Sequence, residues 1–177
     1  LAKPHSAHPF DMYHAYKASG ATYPYGCHVV EIEVDPATGH TKIQRYTVVD
    51  DFGVIINPIT LRGQIHGGIA QGVGQALFEH AAFDDKAQLL AGSLMDYTLP
   101  RADHLPSIDV YFRGTPTYNN DLKIKGSGQA GAIGSTQAVI SALCDALGIA
   151  HIDMPATPSA IWRALQLKQK RERRNDV

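Results

Sequence analysis

Only two cysteines, Cys27 and Cys144, occur in the 177 residues, far apart and without C-x-x-C spacing. That scarcity excludes a disulfide framework and points to reduced, buried thiols, which suits a cytoplasmic setting. It also excludes an iron–sulfur cluster held by this chain, since such clusters take about four thiolates. There is no H-E-x-x-H and no paired Cys/His spacing. The nine histidines, among them His5, His8, His14 and His66, therefore read as solvated or core groups, not metal ligands. G-x-x-x-x-G-K-[ST] is missing too, which rules out a phosphate loop of that kind. No apolar run approaches the roughly 20 residues that cross a bilayer. Residues 63–83 come nearest, and Gln64, His66, Gln71, Gln75, Glu79 and His80 interrupt them. An excess of either charge is absent as well: the formal net charge is −1, so neither nucleic acid nor an acidic substrate is implied. The N-terminus has no starting Met and no apolar signal core, and reads as that of a fragment or a processed product.

What is present suffices for one domain. The apolar share is 44%, enough for a real core at this length. Residues 1–26, rich in Pro, His, Tyr and Gly without a period, read as an extended arm. The runs at 27–34 and 40–52 are β-branched and flank the turn chemistry of "DPATG", which predicts a hairpin. Asn57-Pro58 marks a helix start, and 59–82 reads as one long helix with Ile65, Ile69, Val73 and Ala76 on its apolar stripe. Further strands are expected at "KAQLLAG" and at 108–114. A helix over 133–148 should end on a C-terminal glycine, and an amphipathic helix should fray into a charged tail at 167–177. The expected fold is α+β: two layers, a mostly antiparallel sheet with long helices on one face, and a main domain over 27–166. Asp50 and Asp51, at the end of the second strand, read as cap or turn residues.

Glycine is concentrated in two places. Five glycines fall within 63–74, each costing a helix roughly 0.8–1 kcal/mol relative to Ala. Close helix packing or close approach to a bulky ligand would offset that cost. Gly63, Gly67 and Gly74 form one flat stripe, expected to lie against another backbone or a ligand. The second concentration is "KGSGQAGAIGS" at 125–135. It contains a literal G-x-G-x-x-G from Gly126 to Gly131, with Asp153 lying 22 residues beyond, as in a dinucleotide fold. That fold needs a buried apolar strand before the first glycine, and "TYNNDLKIK" cannot supply one.

Three stretches taken together resemble the molybdenum hydroxylase family of xanthine dehydrogenases, aldehyde oxidases and carbon monoxide dehydrogenase large subunits. They are "GCHVVEIEVDPATGHTKIQRYTVVDDFGVIINP", "GQIHGGIAQGVGQALFE" and "GSLMDYTLPRADHLPSIDVYF…KGSGQAGAIGS". The resemblance runs from about residue 23 to about residue 166 and covers only the C-terminal part of the family's molybdopterin-binding subunit. It implies a molybdenum cofactor held through its pterin, in the simple or the cytosine dinucleotide form, with no side-chain metal ligand. Gly63 and Gln64 then stand where the family contacts the pterin, with Gly67 on the same helix. Gly126, Gly128 and Gly131 belong to the loop beside the metal, where N–H groups and a helix N-terminus suit an anionic ligand. The implied partners are the remaining half of the subunit, an iron–sulfur subunit, an FAD subunit and a small-molecule substrate (an aldehyde, an N-heterocycle or CO). Neither nucleic acid nor a membrane is among them, and an uncovered edge would favour a homodimer.

One position departs from the family pattern. The loop there usually reads K-G-x-G-E, the glutamate being the catalytic base, and this chain has Gln129. A carboxamide accepts no proton at neutral pH, whereas a positioned base contributes about 10²–10⁴-fold in rate. Two readings therefore stay open: part of a working oxidoreductase, or a non-catalytic assembly module of the same family.

Overall fold

The computed structural model describes residues 12–175; the start of the expected arm, with His5 and His8, and the last two residues of the tail lie outside them. Residues 12–24 form no regular element but are pinned: Ser19 Oγ donates to Asn119 O (2.7 Å) and Asn119 Nδ2 to Ala21 O (2.6 Å).

The hairpin forms as its sequence dictates. β1 (Tyr25–Val34) and β2 (Thr41–Asp51) pair antiparallel. In the turn between them the Asp35 carboxylate accepts from Ala37 N and Thr38 Oγ1, and Gly39 takes φ +75°, a conformation that favours glycine. A register shift sets Glu31 opposite Arg45 but Ile32 opposite Ile43, so Gln44 is the extra residue of a bulge. A bulge resets the in–out alternation. Ile43 and Tyr46, three positions apart, are thereby both buried, and Val48 and Asp50 follow inward.

Helix α1 (Pro58–Leu77) begins where Asn57 Oδ1 accepts from Ile59 N and Thr60 N, both at 3.1 Å, a cap worth about 1 kcal/mol. Leu61, Ile65, Ile69, Val73 and Ala76 form its buried stripe. The helix stops at Leu77, short of the expected 82. Phe78 N and Glu79 N both bond Gly74 O, Phe78 stacks on His104 (4.6 Å between centroids), and Glu79 folds back over Gly74 to accept from Tyr97 Oη at 2.6 Å. The chain has turned away because better partners lie off the helix axis.

"KAQLLAG" forms no strand, against expectation. A bridge between Phe83 and Leu89 stands alone, and the Asp84 carboxylate turns the segment by accepting from Lys86 N and Gln88 N. β3 (Ile108–Phe112) joins β2 in parallel, giving the sheet order β1-β2-β3. The sheet is thus mixed, its longer pairing antiparallel.

Helix α2 (Ala130–Leu147) starts three residues before the expected 133 and ends on Gly148 in the left-handed conformation. By length and composition alone it could cross a bilayer, against the expectation that no run comes near that length and that 63–83 come nearest. Its apolar residues Val139, Leu143 and Leu147 instead enter the core with Ile65, Ile69 and Tyr46. Helix α2 packs on α1 and on β1, completing two layers. Helix α3 (Pro158–Asn175) buries Ile161 and continues through the charged run, so the expected boundary at 166/167 falls inside a helix. Lys168 Nζ donates to Leu147 O (2.9 Å) and closes the end of α2. Both cysteines are free; Cys27 is exposed, contrary to the expected burial, and Cys144 is partly covered.

Candidate functional site

Helix α1 and the glycine loop meet at their N-terminal ends. The segment leaving β2 runs beside the loop entering α2: Lys125 N donates to Phe52 O (2.9 Å), Val54 N to Lys123 O (3.1 Å), and Gly53 bridges Ile124. Gln64, one turn and a half into α1, donates through Nε2 to Gly128 O at 2.7 Å. The expected pterin-contacting amide is therefore spent partly on tying α1 to the loop.

Asp51 is the anchor of this arrangement. Its Oδ1 accepts from Gly53 N (2.8 Å) and Thr115 N (3.0 Å), and its Oδ2 accepts from Lys125 Nζ (2.9 Å). The carboxylate is 2% exposed. Burial alone would push its pKa up, but the Gly53 N–H, the Lys125 ammonium and the Thr115 N–H hold it well below the usual carboxylate range. Lys125 Nζ also lies 4.6 Å from the centre of the Tyr25 ring, a cation–π contact. The turn role expected for Asp51 is present, and the link to Lys125 is added to it. The signals were the Asp-x-Gly spacing and a lysine opening the glycine loop, 74 positions apart.

The glycines divide into two classes. At Gly68 a Cβ would come within 2.8 Å of Gly131 Cα, and at Gly72 it would strike Ser135. Gly131 lies beneath α1, where a Cβ would overlap Ile65 O. Gly68 and Gly131 let α1 and α2 cross with backbones nearly touching. At Gly63, Gly67, Gly126 and Gly128, by contrast, a Cβ would meet nothing within 4 Å. Of the expected stripe, only Gly74 is packed, against Glu79 and Pro100. The close backbone approach belongs to Gly68 and Gly131, Gly72 makes room for the Ser135 and Thr136 side chains, and Gly63 and Gly67 face open space.

Two cavities flank the loop. One, of about 250 Å³, lies between Lys125 and Ser127 on one side and Asn57, Thr60 and Gln64 of the α1 start on the other. The second, of about 560 Å³, lies across Lys125 and Gly126 toward Tyr16 and Leu122. Gln129 is exposed and precedes α2 without capping it through its side chain. Among the described residues no group of three His, Cys, Asp or Glu converges to hold a metal. His151 and Asp153, the latter in the dinucleotide-like position, pair with each other at 3.0 Å on the surface.

Bare glycine backbone, a helix N-terminus and amide groups beside two cavities fit a bulky anionic ligand held without side-chain metal ligands. Comparison with known proteins gives the same direction. A family model described as "Molybdopterin cofactor-binding domain" matches residues 3–106. The chain is 36% identical over 156 residues to the carbon monoxide dehydrogenase large chain of Hydrogenophaga pseudoflava, covering 86% of this chain and 19% of that protein. It is 38% identical over 153 residues to the nicotine 6-hydroxylase large subunit of Paenarthrobacter nicotinovorans, covering 85% and 19%. An aligned stretch that long must include residues 125–131. Quinoline 2-oxidoreductase from Pseudomonas putida 86 superposes with a TM-score of 0.77 at 38% identity, over 80% of this chain and 18% of that one. The Cu,Mo-CO dehydrogenase superposes with a TM-score of 0.78 at 29% identity, over 81% and 18%. The chain spans about a fifth of the length of the curated relatives it matches. With more than half of its residues under the family model and the fold shared, this chain belongs to the molybdopterin cofactor-binding domain family.

Proposed function

We propose that this chain supplies the pterin-facing helix and the loop beside the metal in a molybdenum-cofactor-dependent oxidoreductase. The observation that carries the reading is the set of glycines at 63, 67, 126 and 128, where an added Cβ would meet nothing within 4 Å among the described residues. When bound, the cofactor supplies a redox metal centre able to accept electrons from substrate. The chain's own contribution is shape and hydrogen bonding. Gly63, Gly67, Gly126 and Gly128 leave backbone accessible, Gln64 fixes the loop against α1, and Gln129 offers an amide at the mouth of α2. The relatives' names include carbon monoxide, nicotine, quinoline and aldehydes as molecules acted on, so the substrate classes in view are CO, N-heterocycles and aldehydes. The cytosine dinucleotide form of the cofactor, completion by the rest of a large subunit, iron–sulfur and FAD partners, a homodimer and a cytoplasmic setting belong to this same reading.

Glycine replacements test it. Gly63→Ala should stabilise the chain by about 0.8–1 kcal/mol, because the new methyl meets nothing, yet lower the pterin content of the assembled enzyme. Gly63→Leu and Gly128→Leu should empty it of pterin while the far-ultraviolet dichroism stays unchanged. Full cofactor content in both leucine variants would sink the assignment.

The chain by itself should hold no stoichiometric molybdenum, since ligand sites usually bury about 70–90% of a ligand and the flanking cavities are open on their outer sides. Metal analysis yielding about one molybdenum per chain would contradict this. The competing reading, a non-catalytic module of the family, is favoured by Gln129 alone.

A further inference from the structure

Past the end of α1 the chain leaves the core and presents a different kind of surface. Between 83 and 99 six large apolar side chains face water: Phe83, Leu89, Leu90, Leu94, Met95 and Leu99. Leu94 is 76% exposed and Met95 93%. The segment that carries them is nonetheless built. Leu90 N donates to Ala82 O (2.8 Å), Ala87 N to Asp84 O (3.0 Å), and Asp96 N and Tyr97 N to Ser93 O (3.1 and 2.9 Å). The Asp84 carboxylate accepts from Gln88 N and the Asp96 carboxylate from Ser93 Oγ, closing two turns from within. The Tyr97 hydroxyl, donating to Glu79, ties the far end back to the close of α1. Ala87, itself exposed, takes φ +61°, a left-handed conformation that is costly for a residue with a Cβ. These bonds fix the backbone under the apolar groups and bury none of them.

Single apolar side chains on a surface need no explanation, whereas a fixed group of them marks an interaction surface. The extent of the shared sequence says what covers this one. Aligned stretches of 156 and 153 residues in a chain of 177 must include 83–99. The chain nevertheless makes up only 19% of either relative. We propose that 83–99 is the segment by which this chain docks into the rest of a molybdopterin-binding large subunit, its side chains received by an apolar pocket there. The inference rests on the completion by a large subunit proposed above and specifies where that contact is made. None of the six residues lines either cavity beside the glycine loop. The chain therefore meets the subunit and the ligand through different residues. The Asp84 and Asp96 carboxylates are engaged by the segment's own donors, and Asp85 and Lys86 are neighbours of opposite sign. Apolar burial, not a charge pattern, is what the segment offers a partner.

The test uses the chain as its own cell makes it. A photo-activated benzoylphenylalanine in place of Leu94 or of Met95 should cross-link to molybdopterin-binding sequence outside residues 1–177, on the same polypeptide or another, as read by peptide sequencing. Trypsin should cut after the exposed Lys86 at least about tenfold more slowly in the assembled enzyme than in the 177-residue chain. Leu94→Asp combined with Met95→Asp should restore fast cleavage in the assembly while leaving the unfolding midpoint of the chain unchanged. Cross-links only to a second copy of residues 1–177, only to an unrelated protein, or to nothing would overturn the docking assignment. Equal cleavage in the assembly and the chain would overturn it too. An assembly that holds pterin but gives no cross-link from position 94 or 95 keeps the cofactor reading and ends this one. An assembly cross-linked as expected yet empty of pterin does the reverse.

Discussion

Asp51→Ala is expected to lower the free energy of unfolding by about 3–5 kcal/mol, the usual consequence of removing one partner from a buried ion pair. The substitution leaves the Lys125 ammonium, 9% exposed, without its carboxylate and strips the Gly53 and Thr115 N–H groups of their acceptor. Because those donors lie on three separate segments, the glycine loop should loosen with them, and hydrogen exchange over 123–128 should quicken. The effect should depend on pH. The folded-state pKa of Asp51 is depressed, so its stabilisation is fully present above the unfolded value of about 3.9 and is lost as pH falls toward the folded one. Urea unfolding at neutral pH and in acid checks both parts. Equal midpoints for the two proteins at pH 7, or a gap that stays constant in acid, would refute the anchor role.

Gly131→Val should be the most damaging of the glycine replacements. Its Cβ would overlap Ile65 O and lie 3.1 Å from Gly68 Cα, both backbone atoms that cannot swing aside. The helices would have to separate, and overpacking of this sort costs about 1–3 kcal/mol or more. Gly126→Val, in the same loop but with nothing within 4 Å of its Cβ, should leave the unfolding midpoint nearly unchanged. Comparing the two by chemical denaturation isolates the helix crossing. A Gly131→Val protein as stable as Gly126→Val would mean that α1 and α2 do not meet there.

Local chemistry made most of the elements legible. The Asp35-to-Gly39 turn between β-branched runs specifies the hairpin, Asn57-Pro58 specifies the start of α1, and Gly148 specifies the end of α2. What the sequence hides is decided by partners distant in the chain. Leu89 and Leu90 have strand propensity but no sheet edge to join, so they stay exposed. The bulge at Gln44 can be seen only once Ile43 and Tyr46 are known to share a face. Helical spacing gives the angle of each glycine about α1, not what stands opposite, and so could not separate Gly68 from Gly67. The site follows the same pattern. The Gln64–Gly128 bond spans 64 positions, a separation that only the family resemblance bridges from sequence.

The partition of the glycines also has an evolutionary edge. Those at 68, 72 and 131 are held by the opposing helix and would survive in any descendant that keeps the fold. Those at 63, 67, 126 and 128 answer to no atom of the described residues within 4 Å. In a lineage released from ligand binding they would be free to drift. The two in the helix would drift first toward alanine, since each such change gains helix stability of about 0.8–1 kcal/mol. Glycine kept at all four positions across related chains would be the mark of a bound ligand, and alanine at 63 and 67 the mark of an inert scaffold.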